Sequence, residues 1–541
     1  MKEISHTQHK TGGIAAFLGA AATALVFFTV PAPVLAQVTA FKQAVAEAAS
    51  RDEDIAAYYR TNDYAPVWTE GSDAQRERRA ALMAAIASAD AHGLPIARYD
   101  PTGLMEKLKN AKTPRDRGLA EVEMTKVFLQ YARDLQTGVL IPSRVDSSIV
   151  REVPYRDRQG YIADFIKSDP MTFMRDLRPR TMEYNALMRE KLKMEKLMYK
   201  GGWGPSVPVS SLKPGAQGNS VVALRNRLIA MGYLKRSNAM IYDKAMQEAV
   251  RQFQQDHGLN SDGVAGSGTM SEINKSVETR LTSVIVAMER ERWLNKERGA
   301  RHILVNIPAF TAAIIDNGRV TFETRSVVGA TESGRYTPEF SDKMEYIVVN
   351  PTWTVPRSIV TKEYLPALQR NAGAVGHIDV IDGSGRVVNR GAVNFSRYTA
   401  RTFPFGMRQQ PGSNNALGLV KFIFPNKYNI YLHDTPSKSL FAHDVRAFSH
   451  GCVRLADPFD FAYTLLAAQT SDPVGFFKAQ LATGRETFVH LDVELPVHII
   501  YRTAFTTARG HTQYRDDIYG RDAKIWDALS KAGVALGAVQ G

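Results

Sequence analysis

The reactive chemistry of this 541-residue chain converges on its only cysteine, in Ser449-His450-Gly451-Cys452. A cysteine attacks as its thiolate, and near neutral pH a free thiol stays mostly protonated unless an imidazole takes the proton. His433, His443 and His450 are the histidines nearest in sequence. His450 is poorly placed if the segment is extended, because residues two apart on a strand share a face but stand roughly 6.6 Å apart. His433 ends the strand-like run Tyr428-Asn429-Ile430-Tyr431-Leu432 and can face the sulfur from a separate strand. Gly451 lets the backbone turn sharply, so that consecutive amide N–H groups approach a substrate as an oxyanion hole requires. A merely buried, inert cysteine is the competing reading, but a lone Cys beside His and Gly fits the nucleophile pattern better.

His433, a spacer of fifteen residues, then Ser449-His450-Gly451-Cys452 and a hydrophobic Val453 resembles the signature of the YkuD-type L,D-transpeptidases, cysteine enzymes that cross-link peptidoglycan. Many members carry asparagine where Arg454 stands. That departure resembles the large periplasmic branch, which has an inserted peptidoglycan-binding domain. The resemblance implies Cys452 as nucleophile, His433 as base, and the backbone carbonyl of Asp434 as the group that orients the imidazole. It also implies an oxyanion hole from the amides of His450, Gly451 and Cys452. The Asp434 side chain as a triad member is the alternative, since orienters are recognised by geometry. Arg454 and Ser449 are candidates to hold substrate carboxylates, an internal salt bridge being the other reading of Arg454. Trp353 and Tyr431 are candidates to line the cleft, or else aromatics of the core.

The elements that must position these groups extend beyond one core, since 541 residues predict three or four domains. The net charge of +13 comes without a dense Lys/Arg run interleaved with aromatics, which argues against nucleic acid and for a polyanionic cell-surface setting. A single cysteine excludes an intramolecular disulfide. Lys2 and Lys10 precede the apolar run Gly13–Val30, Pro31 and Pro33 break it, and Val34-Leu35-Ala36 offers a cleavage site before Gln37. This predicts export to the periplasm, with a membrane association only if the segment is retained as an anchor.

The periodicities predict a multidomain α+β protein. Residues 1–36 read as a signal peptide. Residues 37–205 follow a helical period and form an α-helical scaffold, interrupted by the packed turn Tyr64-Ala65-Pro66-Val67-Trp68. Residues 206–275 form a three-helix unit, with Asn219 as a cap, a second helix ending at Gly258 and a third starting at Thr269. Its stretches LKPGAQGNSVVALRNRL, AVRQFQQDHGL and DGVAGSGT resemble peptidoglycan-binding domain 1, with Arg225 and Ser267 replacing the usual glutamine and proline. Residues 276–300 carry a helix, Leu281 to Trp293, that the resemblance returns to the scaffold. Residues 301–500 form a mainly β catalytic domain with a hairpin at Asp316-Asn317-Gly318 and a helix from Pro458 through Leu466. The resemblance places a capping insertion at about 357–416, and the long polar stretch Thr399 to Ala416 reads as a lid. The tail 501–541 carries no assignable role.

Together these readings imply an L,D-transpeptidase that acts through a Cys452 thioester on tetrapeptide stems, expels D-alanine and joins third-position residues. Peptidoglycan stem peptides and the cell wall are its implied partners. The reaction requires no metal and no cofactor. Hydrolysis or D-amino-acid exchange through the same thioester, and a non-catalytic wall-binding protein, are the other functions the residues admit.

Overall fold

In the computed structural model, which describes residues 39–332, 334–507 and 511–537, four separate hydrophobic cores organise the chain. The predicted signal segment lies outside the described residues. Among the described residues no helix is long and apolar enough to cross a membrane.

The scaffold helices Ala40–Ala49, Glu53–Thr61, Asp73–Ala87, Pro101–Asn110, Pro114–Thr137, Arg158–Lys167, Pro170–Asp176 and Met182–Tyr199 each begin where an Asp, Ser or Thr side chain accepts an amide of the first turn. The Tyr64–Trp68 stretch is a packed turn: the amides of Val67, Trp68 and Thr69 donate to the buried Glu121 carboxylate, and the Trp68 indole donates to Thr125. The helix Val277–Trp293 buries Leu281, Val284, Ile285, Met288 and Trp293 in this same core. Between them the three-helix unit, Asn219–Met231, Lys244–Asp256 and Ser267–Ile273, keeps a core of its own. Asn219 is not its cap: Gly218 occupies that position without a side-chain bond, and Asn219 is already helical. The third helix likewise starts at Ser267 rather than Thr269.

The domain expected to be catalytic is built on strands β1 (Arg301–Asn306), β2 (Thr311–Asp316), β3 (Arg319–Gly329), β4 (Phe340–Val349), β5 (Trp353–Thr354), β6 (Asp379–Ile381), β7 (Gly406–Gln409), β8 (Val420–Ile423), β9 (Leu432–His433), β10 (Ala447–Ser449), β11 (Val453–Leu455) and β12 (Thr487–Ile500). The order β10-β3-β11-β9-β8-β4-β12-β1-β2, with β2 also paired to β3, closes the sheet on itself. The β2–β3 turn places Asn317 and Gly318 at positive φ, as a tight primed hairpin demands. Ile303, Ile314, Ile347, Phe422, Leu432, Val453 and Leu455 fill the interior, and Phe461 and Leu465 of the helix Pro458–Leu466 join them.

Strands β5, β6 and β7 form a separate three-stranded sheet. With the helical segment Arg357–Arg370 they enclose the fourth core, around Leu365, Val380, Phe403 and Met407. This is the insertion, folded as a small unit over one end of the closed sheet. Strand β7 runs within the stretch read as a polar loop.

The tail has a structural role that its sequence did not reveal. Strands β13 (Ala504–Thr506) and β14 (Thr512–Tyr514) pair, and the helix Arg521–Lys531 follows. Ala504, Tyr514, Ile525 and Leu529 enter the scaffold core, while Tyr501 and Tyr519 enter the catalytic core. The tail therefore staples the two together.

Candidate active site

Strands β9 and β11 run parallel, with Leu432 opposite Val453 and His433 opposite Arg454. Leu432 and Val453 point into the core, so strand alternation sends His433 and Arg454 to the other face, with Tyr431 and Cys452 one step before them. Cys452 is thus opposite Tyr431 and diagonal to His433.

His433 is buried, and its Nδ1 donates to the Asp434 carbonyl oxygen at 2.5 Å. A carbonyl can only accept, so Nδ1 carries the hydrogen and Nε2 is left as the proton acceptor. The Asp434 carboxylate is engaged elsewhere: Oδ1 accepts from Lys438 Nζ at 2.7 Å and Oδ2 from the Leu419 amide at 2.9 Å. The side-chain triad alternative therefore has no geometric support. Burial, and after it the Arg454 charge, push the imidazole down to about 3, only partly opposed by the carbonyls of Asp434 and Leu417.

The Cys452 thiol donates to the Asn429 carbonyl at 3.4 Å. Burial pushes it up to about 11, against the Tyr431 backbone and side chain and the Arg454 charge, which favour the thiolate. Among the described residues no hydrogen bond joins it to a histidine. The shifts favour a neutral thiol and a neutral imidazole at neutral pH.

Asn429 reaches the thiol because the expected strand Tyr428–Leu432 is cut to Leu432–His433. The Asn426 side chain accepts from the amides of Tyr428 and Ile430 and donates to the carbonyls of Phe424 and Ile430. This local capture competes with ladder pairing. It leaves Asn429 at φ +54°.

Gly451 adopts φ +120°, and an added Cβ would stand 3.1 Å from Ile430. The turn it makes is held from both sides. Ser449 Oγ donates to the Cys452 carbonyl at 2.6 Å and accepts from the Gly451 amide at 3.1 Å. Thr337 Oγ1 donates to the Gly451 carbonyl at 2.7 Å and accepts from Gly329 at 2.9 Å. Arg521 donates to the Thr337 carbonyl at 2.9 Å and to Glu339 at 3.1 Å, and Glu339 also accepts from Arg290 of the scaffold helix. The tail and the scaffold thus reach the nucleophile's turn through Thr337.

Ser449 is 1% exposed and its hydroxyl is occupied within the turn, where it holds the Cys452 carbonyl and the Gly451 amide. Of the three amides, Gly451 is already engaged by Ser449, which leaves those of His450 and Cys452 without acceptors among the described residues.

Arg454 is partly buried, forms no ion pair among the described residues, and its Nε lacks any partner. The internal salt bridge is absent. Tyr431 packs against the insertion's core, its ring 5.6 Å from that of His433 and its phenol raised well above its usual value by burial and by Cys452. Trp353 belongs to that core at 9% exposure, so it backs Tyr431 more than it lines a cleft. His450 Nε2 pairs with Glu363 at 2.6 Å, and Arg335 donates to the same carboxylate at 2.8 Å. Glu363 lies on the π turn Val360–Tyr364 of the insertion, so this contact latches the insertion to the nucleophile's turn. His443 stacks edge-on against Phe448 and takes no part. Sequence reasoning missed Thr337, Glu363 and Asn426. Only Asn426 left a signal, since an asparagine inside a presumed strand competes for backbone amides.

A thiol on a glycine turn, an imidazole whose Nδ1 is held by a carbonyl, and two amides without acceptors among the described residues make an arrangement suited to nucleophilic acyl chemistry. Residues 300–488 match the YkuD family, described as the L,D-transpeptidase catalytic domain. Residues 53–190 match a scaffold domain, and residues 217–273 match a "Putative peptidoglycan binding domain". A Haemophilus influenzae (strain ATCC 51907 / DSM 11121 / KW20 / Rd) protein named "Putative L,D-transpeptidase" is 31% identical over 241 residues, covering 42% of this chain and 47% of that protein. The chain therefore spans about half the length of that curated relative. Among solved structures, an L,D-transpeptidase from Stackebrandtia nassauensis is 16% identical with TM-score 0.22, covering 55% of this chain and 97% of its own. Another from Xylanimonas cellulosilytica DSM 15894 is 15% identical with TM-score 0.17, covering 55% and 98%.

Proposed function

We propose that this protein is an exported L,D-transpeptidase that cross-links peptidoglycan through a thioester on Cys452. The single observation that carries the reading is the shared face of β9 and β11, where the sole thiol, a neutral histidine and an unpaired arginine stand together on a domain of the L,D-transpeptidase family. Arg454 offers a planar fork to a carboxylate of the donor stem. As the donor carbonyl approaches, Cys452 turns from Asn429, His433 Nε2 takes its proton, and sulfur adds to the carbonyl carbon. The amides of Cys452 and His450 receive the developing oxyanion. The imidazolium then protonates the departing D-alanine amine as the tetrahedral adduct collapses to the thioester. An amine from a second stem attacks that thioester, giving its proton to His433, and the thiol is regenerated.

Neutralising Arg454 with a donor carboxylate would also remove part of what depresses His433, so donor binding would strengthen the base. The insertion, latched through Glu363 and His450, favours an amine acceptor over bulk water.

The test is mass analysis of the purified protein with a defined tetrapeptide. A covalent adduct of one donor minus D-alanine, absent in Cys452→Ala, and a dimer when a second stem is added, are the expected results. A parental rate of D-alanine release by Cys452→Ala overturns the assignment, and free tripeptide without dimer makes the protein a carboxypeptidase.

A further inference from the structure

Away from the thiol, where the three-helix unit meets the catalytic domain, a cavity of about 650 Å³ opens between the loop Gly258–Ser261 and the segment Phe441–Arg446. Its walls are overwhelmingly polar, and three arginines converge on it from separate parts of the chain: Arg325 on β3, Arg446 just before β10, and Arg515 just after β14. Asn260 and Ser261 add polar side chains from the three-helix unit, and Asp444 is the only acid on its walls.

The arginines are arranged in an unusual way. Arg325 donates to the Phe441 carbonyl at 3.1 Å. Arg446 donates to the carbonyls of Ser326, His443 and Phe310, and Arg515 to those of Asp256 and Tyr514 and to the Gln513 side chain. Among the described residues none of the three forms an ion pair with a carboxylate. Burial, followed by Arg325, lowers Arg446 to about 10 against the opposing charge of Asp444; burial lowers Arg515 to about 10 against the charges of Asp256 and Glu323, with Arg446 adding to the shift. A fold that orients three guanidiniums with backbone carbonyls, with no carboxylate in ion-pair contact with them among the described residues, holds a preorganised anion site.

We infer that this cavity is a second substrate site, which binds a carboxylate of a peptidoglycan stem peptide away from the thiol. The inference rests on the functional reading above. Forked guanidiniums match carboxylate geometry. The position supports the choice of ligand: the cavity is walled by the unit that matches a peptidoglycan-binding domain and by the segment that leads through β10 into Ser449 and Cys452. A stem held here would anchor the polymer while a neighbouring stem on the same strand reaches the thiol.

The test uses the full chain carrying Cys452→Ala, titrated calorimetrically with a soluble disaccharide tetrapeptide at two salt concentrations. Two binding sites are expected, the second weakening as salt rises. Arg325→Gln, which gives up a single carbonyl bond, and Ser261→Glu, which adds a carboxylate from an exposed loop, should each weaken the second site by about tenfold or more. Because Ser261→Glu leaves every arginine bond in place, it separates loss of charge from loss of folding. One site in the parent, or an undiminished second site in both variants, overturns the inference. Displacement by inorganic phosphate well below the concentration of acetate that does the same would make it a phosphate site and overturns the carboxylate assignment. Failure of the Cys452 protein to form a thioester with the same tetrapeptide, while the second site persists, would count against the functional reading and not against the cavity.

Discussion

Replacing Arg454 with glutamine separates a residue held for substrate from one held for the fold. Among the described residues its guanidinium has no ion-pair partner and its Nε has no hydrogen bond, so the fold carries a partly buried cation that gains little from its surroundings. Removing such a group costs little stability and can add some, because an unpaired buried charge is unfavourable. Substrate binding should behave oppositely. A charge-assisted bond to a carboxylate contributes about 1.5–3 kcal/mol, which corresponds to a loss of about 10- to 150-fold in kcat/KM for thioester formation. Arg454→Lys keeps the charge without the fork and should fall between. The variant also removes the second cause of the low His433 value while leaving burial, the first, in place. Acylation needs the neutral imidazole, so the acid limb of its pH profile, near 3 in the parent, should move upward in Arg454→Gln yet stay below the ordinary histidine value near 6.5. The assay is the rate of adduct formation by mass spectrometry against pH, alongside thermal unfolding. An unchanged kcat/KM with a lowered Tm would refute the reasoning and make Arg454 structural.

Two further outcomes follow from the same geometry. With one cysteine in the chain, alkylation by iodoacetamide reports Cys452 alone. Because the thiol is pushed up to about 11, its reaction rate should rise about tenfold per pH unit from neutrality towards that value; a plateau near neutral pH would indicate a resting thiolate–imidazolium pair. Thr337→Val keeps the shape of a fully buried side chain but strips the hydrogen bonds to the Gly451 carbonyl and the Gly329 amide. It should cost about 1–3 kcal/mol in denaturant unfolding and slow acylation disproportionately, since the orphaned carbonyl belongs to the nucleophile's turn. Parental acylation in the destabilised variant would detach Thr337 from the site.

Local signals carried much of this protein. Period-two alternation and the Asn317-Gly318 turn are decided by residues within a few positions of one another and are legible for that reason, whereas the cap expected at Asn219 falls on Gly218. The expectation of His433 as the base for Cys452 came from the chemistry of a thiol, which demands a base, and from the few histidines near it. Tertiary structure decided what depends on residues distant in the chain. Whether Ser449 faces substrate or its own turn, whether Arg454 finds a carboxylate, and which donors of the oxyanion turn remain free are properties of the closed sheet and not of the motif. The tail is the clearest case. The described tail residues, 501–507 and 511–537, divide their apolar groups between two cores, and Arg521 is buried where Glu339 and the Thr337 carbonyl, some 180 residues away in sequence, receive it.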